Sequence, residues 1–290
     1  MRWSTGDRDN INDMRGRSGG GGMIPLGIGG FIVVALLSMF TGVDFFSILG
    51  GGGSPQPTAV GTSGSGKVNS SPSEEKLVDM VDAVARDVQQ TWSSMLGSRY
   101  HQTKVTLFRD SIQSACGYAG AVSGPFYCPG DHNVYLDLSF FDELSRRFGA
   151  SGDFAQAYVL AHEFGHHIQS LTGTEAQVRE QQHLDPRSAN ASSVRLELQA
   201  DCYAGVWGHE AAKPGRAARG AVELDPGDLE EALRAAAAIG DDRLQKLGTG
   251  RVMPEKFTHG TSEQRVTWFR RGFDSGDPRQ CDTFGNSGTR

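Results

Sequence analysis

Residues 152–169 read GDFAQAYVLAHEFGHHIQ, a mostly apolar run that contains three histidines and a glutamate. Its periodicity predicts a buried helix over 153–171 that stops at Gly173. His162 and His166 are four residues apart and therefore share one face of that helix, where both imidazoles can bind one metal ion. Glu163 follows the first histidine and can act as the general base for an attacking water. This pattern is typical of zinc peptidases.

The alternative is a buried helix whose histidines are only hydrogen-bonded, and such polar groups in an apolar helix are costly without partners. A catalytic zinc site also needs a third protein ligand and leaves one position to water. Glu197 and Asp201 face the same way on a helix predicted over 190–212, which Asn190 would cap. We expect Glu197 to be the third ligand and Asp201 to accept a histidine N–H. The alternative for this acidic pair is an ion pair with Arg195 or another arginine.

A third segment, FTHGTSEQR at 257–265, places one histidine and one arginine around a helix start. Thr261 and Gln264 form a capping box for a helix over 265–273. His259 and Arg265 are candidates to stabilise the oxyanion that forms when water attacks a carbonyl. A purely structural His259, and an Arg265 paired with an acid such as Glu263 or Asp201, are the alternatives. His167 points away from the ligand face and is expected to be structural or at the surface.

The other segments predict a mostly helical α+β domain with a small β-sheet. Further helices are predicted over 73–97, 142–148 and 225–247, and strands over 104–109 and 133–138. An extended peptide could pair with the second strand if that strand lies at a sheet edge.

The N-terminal part of the chain differs from the rest in composition. Residues 1–22 are polar, mixed in charge and glycine-rich, which predicts a disordered tail. Residues 23–40 read MIPLGIGGFIVVALLSMF, and a transmembrane helix is predicted over 23–43. The alternative is a buried helix of the soluble domain, although the glycines suit a membrane helix better. A flexible Gly/Ser/Pro linker over 44–73 and a catalytic domain over 74–290 follow.

Basic residues predict the orientation of that helix, because positive charge marks its cytoplasmic side. Four arginines precede the apolar run, and the first basic residue after it is Lys67. We therefore expect a single-pass membrane protein with a cytoplasmic N-terminus and an extracytoplasmic catalytic domain. The four arginines are Arg2, Arg8, Arg15 and Arg17.

The net charge limits the possible binding partners, and the cysteine content bears on the cellular compartment. A net charge of −6 argues against nucleic-acid binding. Four cysteines allow two disulfides outside the cytosol. We expect Cys116 to pair with Cys128 across a glycine-containing loop, and Cys202 with Cys281, which would fix the C-terminal region to the Glu197 helix. A free, buried Cys202 is the alternative.

The two motifs His-Glu-x-x-His and Glu-x-x-x-Asp resemble those of the gluzincin group of zinc peptidases. The resemblance implies a minimal gluzincin-type, zincin-like domain in which Glu197 binds the metal and Asp201 orients a histidine. The spacing of His259 and Arg265 is similar to the His-Pro-x-x-x-x-Arg segment of CaaX-protease-type membrane metallopeptidases, with Gly260 in place of the proline.

Most of the chain resembles the bacterial family named putative neutral zinc metallopeptidases. The similar segments lie at 116–144, 152–169, 193–209, 257–273 and 277–284. The resemblance implies a membrane-anchored zinc peptidase with one Zn²⁺ and a protein or peptide substrate. Two other functions fit the same motifs, namely a non-catalytic zinc-stabilised module that binds an envelope partner and hydrolysis of a non-peptide amide in the cell wall.

Overall fold

The computed structural model describes residues 1–16, 68–120 and 124–285. The α-helices are Pro72–Leu96 (α1), Ser139–Arg146 (α2), Asp153–Thr172 (α3), Thr174–Leu184 (α4), Ala189–Ala211 (α5), Asp228–Ala238 (α6), Asp241–Thr249 (α7) and Ser262–Ser275 (α8). The strands are Ile11–Asp13 (β1), Val105–Phe108 (β2), Ser111–Ser114 (β3), Gly117–Gly120 (β4), Phe126–Cys128 (β5) and Asn133–Asp137 (β6). Short 3₁₀ helices cover Gly97–Arg99, Pro186–Ser188, Ala217–Arg219, Pro254–Lys256 and Pro278–Cys281. The predicted α+β class is confirmed.

The main sheet has the order β1-β2-β6-β5, in which β5 is antiparallel to β6 and the other neighbours are parallel. Strands β3 and β4 form a separate antiparallel hairpin. Strand β6 pairs on both sides, so the suggestion that 133–138 forms an edge is wrong. Within the described residues the edge next to β6 is β5.

Helix α3 lies at the centre of the core and packs against α1, α5 and α6. Aromatic side chains fill the space between these helices, and Trp92, Phe154, Tyr158, Trp207 and Phe269 are fully buried. No helix among residues 1–16, 68–120 and 124–285 is long and apolar enough to cross a membrane. The predicted transmembrane helix at 23–43, and the linker as far as residue 67, lie outside the described residues.

The predicted helix boundaries hold where a local capping signal exists. The hydroxyl of Ser71 accepts the Glu74 N–H at 3.2 Å and starts α1. The predicted capping box of Thr261 and Gln264 starts α8. The prediction that Asn190 caps α5 is wrong, because α5 begins at Ala189 and the Asn190 amide donates to the Glu255 carbonyl at 3.0 Å.

The single helix predicted over 225–247 is also wrong, because the chain forms two helices, α6 and α7, separated at Gly240. The start of α8 lies against this break. A Cβ at Gly240 would be 2.3 Å from the Ser262 backbone nitrogen, so only glycine allows this approach. The Ser262 hydroxyl donates to the Ala237 carbonyl at 2.7 Å and joins the two segments.

The prediction that residues 1–22 are disordered is wrong for residues 1–16. Strand β1 pairs with β2, and Arg2 and Glu223 exchange two backbone hydrogen bonds. The amino group of Met1 lies 3.0 Å from Asp153 Oδ1 at the start of α3. Arg15 is only 5% exposed. These partners are distant in sequence, and apolar side chains of the segment also pack against the core, so composition alone could not predict that the segment is ordered.

Candidate metal centre

Helices α3 and α5 bring the three predicted metal ligands together. His162 and His166 project from α3, and Glu197 projects from α5 across the helix interface. His162 Nε2 is 3.2 Å from Glu197 Oε2, and His166 Nε2 is 3.5 Å from Glu197 Oε1. Gly165 permits the close packing of the two helices, since a Cβ there would be 2.9 Å from the Ala200 backbone.

The spacing of these atoms fits a zinc ion. In a tetrahedral site with bonds of about 2.0–2.1 Å, two ligand atoms are about 3.3 Å apart, close to the two separations above. All three residues offer a ligand atom within 4.8 Å of the others. Two imidazoles and one carboxylate also form the donor set of known catalytic zinc sites. The residues present therefore fit the metal that the sequence predicts.

A buried network fixes the orientation of His162. Its Nδ1 lies 2.8 Å from Asp201 Oδ1, which leaves Nε2 towards the ligand cluster. Asp201 also accepts a hydrogen bond from Tyr158 OH at 2.5 Å and two from Arg265, at 2.8 and 2.9 Å. Asp201 thus has the predicted orienting position. Arg265 does not have the catalytic position suggested from sequence, because its guanidinium is buried behind His162 and binds Asp201.

His166 is oriented by a second set of contacts that sequence reasoning missed. Its Nδ1 lies 2.9 Å from Gln169 Oε1, so that the N–H donates to the amide oxygen and Nε2 is free for a metal. The Gln169 amide in turn donates to the Leu196 carbonyl at 2.7 Å and to Gln199 Oε1 at 3.1 Å. The only sequence signal was a glutamine one turn after His166 on a buried helix.

The charges of the cluster shift the pKa values of its members. Burial lowers the pKa of His162, but the Asp201 and Glu197 carboxylates raise it more, to about 10. Burial raises the pKa of Glu197, whereas the charges of His166 and His162 hold it well below its usual range. Without a metal, a proton therefore lies between His162 and Glu197, and metal binding must displace it.

Glu163 lies at the open side of the ligand cluster and is 8% exposed. It forms no ion pair in the described part of the chain, and its carboxylate accepts the backbone N–H of Tyr127 in β5. Burial raises the pKa of Glu163, and the nearby histidines oppose that shift. A carboxyl group with a raised pKa next to a metal site suits both uptake and return of a proton.

Tyr127 also connects β5 to α3 through its side chain. Its hydroxyl lies 3.1 Å from His167 Nδ1, and His167 Nε2 donates to the His101 carbonyl at 2.7 Å. Burial lowers the pKa of His167 to about 4, so the ring is neutral. His167 is therefore a structural residue of the interior, and its contact with Tyr127 links β5 to α3 near Glu163.

His259 is half-buried near Glu197 and is held by Asp241, a residue that the sequence did not indicate. Asp241 Oδ1 lies 3.1 Å from His259 Nδ1, and Asp241 Oδ2 accepts the backbone N–H groups of Thr258, His259 and Gly260. Burial lowers the pKa of His259, but Asp241 and Glu197 raise it more. Gly260 has φ +88°, a conformation closed to proline, so the chain differs here from the His-Pro segment that it resembles.

Both predicted disulfides are present. Cys116 and Cys128 are joined with an S–S distance of 2.05 Å, and Cys202 and Cys281 with 2.01 Å. The first joins the β3–β4 hairpin to β5. The second fixes the last 3₁₀ helix to α5, one residue after Asp201.

Comparison with known proteins agrees with this site. The sequence model of the family described as Putative neutral zinc metallopeptidase matches residues 1–284. The chain belongs to this family. Its relatives include Uncharacterized protein YpfJ of Escherichia coli (strain K12), 46% identical over 99% of this chain and 100% of the relative. Uncharacterized protein Rv2575 of Mycobacterium tuberculosis (strain ATCC 25618 / H37Rv) is 44% identical over 70% of this chain and 69% of its own length. No solved structure matches the chain.

Family membership supports a general role as a zinc peptidase. The family match covers residues 1–17 as well as the domain, so the ordered N-terminal segment falls within the region that defines the family.

Proposed function

We propose that the protein is a zinc-dependent metalloendopeptidase that hydrolyses peptide bonds outside the cytoplasm. His162, His166 and Glu197 would hold the ion, which when bound supplies Lewis acidity towards water and a substrate carbonyl. The observation that carries the proposal is Glu163, a buried carboxyl next to the three ligands that forms no ion pair in the described residues. A site that serves folding alone does not need such a group.

Glu163 would act first as a base and then as an acid. Its carboxylate takes a proton from the attacking water, a step that its raised pKa favours, and then passes that proton to the leaving amine, which is the stronger base. The Tyr127 N–H limits the positions that the carboxylate can adopt. The chain thus supplies one group for both proton transfers.

His259 would stabilise the negative charge that develops on the substrate oxygen. Asp241 accepts from Nδ1 and so leaves Nε2 as the remaining donor of the protonated ring. The raised pKa of His259 favours that protonated form. One well-placed donor of this kind contributes about 10²–10³-fold to the rate.

Strand β5 would hold the substrate. It is one of the two edge strands of the main sheet in the described residues, the other being β1, and the Tyr127 N–H on it faces Glu163. An extended peptide that adds to this edge as a further strand would place its backbone beside the general base. This arrangement favours a peptide substrate over a compact amide.

The test compares Glu163→Gln with the wild-type full chain in detergent, with zinc bound to both. We expect equal zinc content and loss of hydrolysis of quenched fluorescent peptides in the variant. Glu180→Gln, on the exposed face of α4, is the matched control and should retain activity. Equal zinc content without hydrolysis in either protein would instead identify the non-catalytic module.

A further inference from the structure

Residues 1–16 and the described residues from 68 to 285 are joined by contacts along the N-terminal segment, although an apolar run separates them in sequence. We propose that both parts lie on the same side of the membrane, outside the cytoplasm. The proposal concerns topology and is independent of the proposed catalysis.

The first observation is the pairing of β1 with β2. Ile11, Asn12 and Asp13 lie in parallel register with Val105, Thr106 and Leu107. Hydrogen bonds extend the pairing, since the Val105 N–H donates to Asn10 O and the Met14 N–H donates to Leu107 O, both at 2.8 Å. Strand β1 is thus part of the sheet whose other end borders the metal site, and it cannot be in another compartment.

The second observation concerns the arginines on which the orientation was based. Three of the four form ion pairs with carboxylates of the folded body and are therefore neutralised there. Arg2 binds Glu223 and Asp225, Arg8 binds Glu75 and Asp79, and Arg15 binds Asp13, Glu74 and Glu75. Charges that are paired in this way do not indicate a cytoplasmic tail.

The third observation is that the chain leaves and re-enters the folded body at one place. Arg15 Nη2 and Ser70 Oγ both bond to Glu75 Oε1, at 3.0 and 2.5 Å. One crossing would instead separate the two ends by the bilayer core, about 30 Å. A return crossing needs a second apolar run of about 20 residues, and residues 50–73 read GGGGSPQPTAVGTSGSGKVNSSPS. The two described ends, at Arg15 and Ser70, therefore lie on one side of the bilayer.

The disulfides identify that side. The chain has four cysteines, and all four are paired. Disulfides persist in oxidising compartments and are rare in the cytosol. The body that contains both bonds, including residues 1–16, is therefore placed outside the cytoplasm.

The first experiment labels single introduced cysteines with a membrane-impermeant maleimide on spheroplasts that express the full chain. Thr5→Cys reports the N-terminal segment, and Leu184→Cys, at a position that is 81% exposed, reports the domain. We expect both to be labelled before permeabilisation. Labelling of Thr5→Cys only after permeabilisation, with Leu184→Cys labelled before it, would establish a single crossing. Labelling of both only afterwards would place the body in the cytoplasm. Either result overturns the proposal.

The second experiment tests the contact itself in the membrane. A Cβ at Gly220 would lie 3.5 Å from Ser4 Oγ, a separation that a disulfide can bridge with a small shift. We expect Ser4→Cys combined with Gly220→Cys to give a crosslinked peptide in the unreduced digest. The control pair is Asp9→Cys with Gly220→Cys, which should not crosslink. The neighbouring Arg8 binds Glu75 and Asp79 and so keeps position 9 beside α1. Absence of the Ser4–Gly220 crosslink, with both cysteines free to react with maleimide, would contradict the docked segment.

Discussion

Replacement of Arg265 by methionine distinguishes the two roles that the sequence allowed for this arginine, namely stabilisation of the oxyanion and a structural ion pair with an acid. The methionine retains much of the apolar stem but removes the guanidinium that binds Asp201. Asp201 is fully buried, so its carboxylate would lose its cationic partner in a place that water does not reach. Tyr158 and His162 would remain as hydrogen-bond partners.

The expected cost follows from these contacts. Removal of one partner from a buried ion pair costs about 3–5 kcal/mol, and the two remaining partners of Asp201 favour the lower end. In a body of this size, each kcal/mol lowers the melting temperature by about 2–4 °C. A loss of about 3 kcal/mol therefore lowers it by about 6–12 °C.

The assay is thermal unfolding followed by circular dichroism, together with kcat and zinc content of the same samples. Arg270→Met is the matched control, because Arg270 is exposed on the same helix. We expect the control to melt with the wild type and Arg265→Met to melt well below both. An Arg265→Met protein that melts within about 1 °C of wild type but loses kcat about 100-fold would refute the structural role and place the guanidinium at the substrate.

Three further predictions concern the ligands, the oxyanion and the N-terminal segment. Replacement of His162, His166 or Glu197 by alanine should in each case release most of the bound zinc, as measured by elemental analysis. Full zinc occupancy in one of these variants would show that the replaced residue is not a metal ligand. His259→Ala should lower kcat about 10²–10³-fold with unchanged zinc content, and a wild-type kcat/KM in this variant would show that the histidine is structural. Asp241→Asn should lower both kcat and the melting temperature, because three backbone N–H groups lose their charged acceptor. Deletion of residues 2–17 should lower the melting temperature. Replacement of residues 18–67 by six Gly/Ser residues, which span about 20 Å, should leave the melting temperature near that of the full chain. Equal melting temperatures of the two variants would show that the N-terminal segment does not contribute to the fold.

The metal ligands could be predicted from sequence because their geometry is local. His162 and His166 share a helix face by spacing alone, and Glu197 and Asp201 repeat the same spacing on a second apolar helix. Asp241 and Gln169 could not be predicted in this way. Their roles depend on the close approach of two helices, or of a helix and a loop. A single aspartate or glutamine forms no local sequence pattern that predicts such an approach.

The N-terminal segment shows a different limit. Residues 1–16 carry almost no apolar pattern, so composition predicts disorder. Their order comes from β2 and from carboxylates up to 227 positions away, as in the hydrogen bond from the Met1 amino group to Asp228. The strands β1 and β5 have three residues each, which is too short for alternation to be recognised. The break at Gly240 likewise depends on Ser262, which is remote in sequence.

The bond between Cys202 and Cys281 has a consequence for the order of events during biosynthesis. Helix α5 carries Glu197, and the segment around Cys281 is linked to that helix by the disulfide. Two hydrogen bonds add to this link. The Gln199 amide donates to Cys281 O at 3.0 Å, and the Thr283 hydroxyl donates to Arg195 O at 2.8 Å. Residue 281 is synthesised more than 100 residues after His162 and His166. A nascent chain that has exposed only the two histidines therefore lacks Glu197, and a translation product that ends before residue 281 lacks all three of these links to α5. The full set of contacts that positions the third candidate ligand is complete only after nearly the whole polypeptide has emerged.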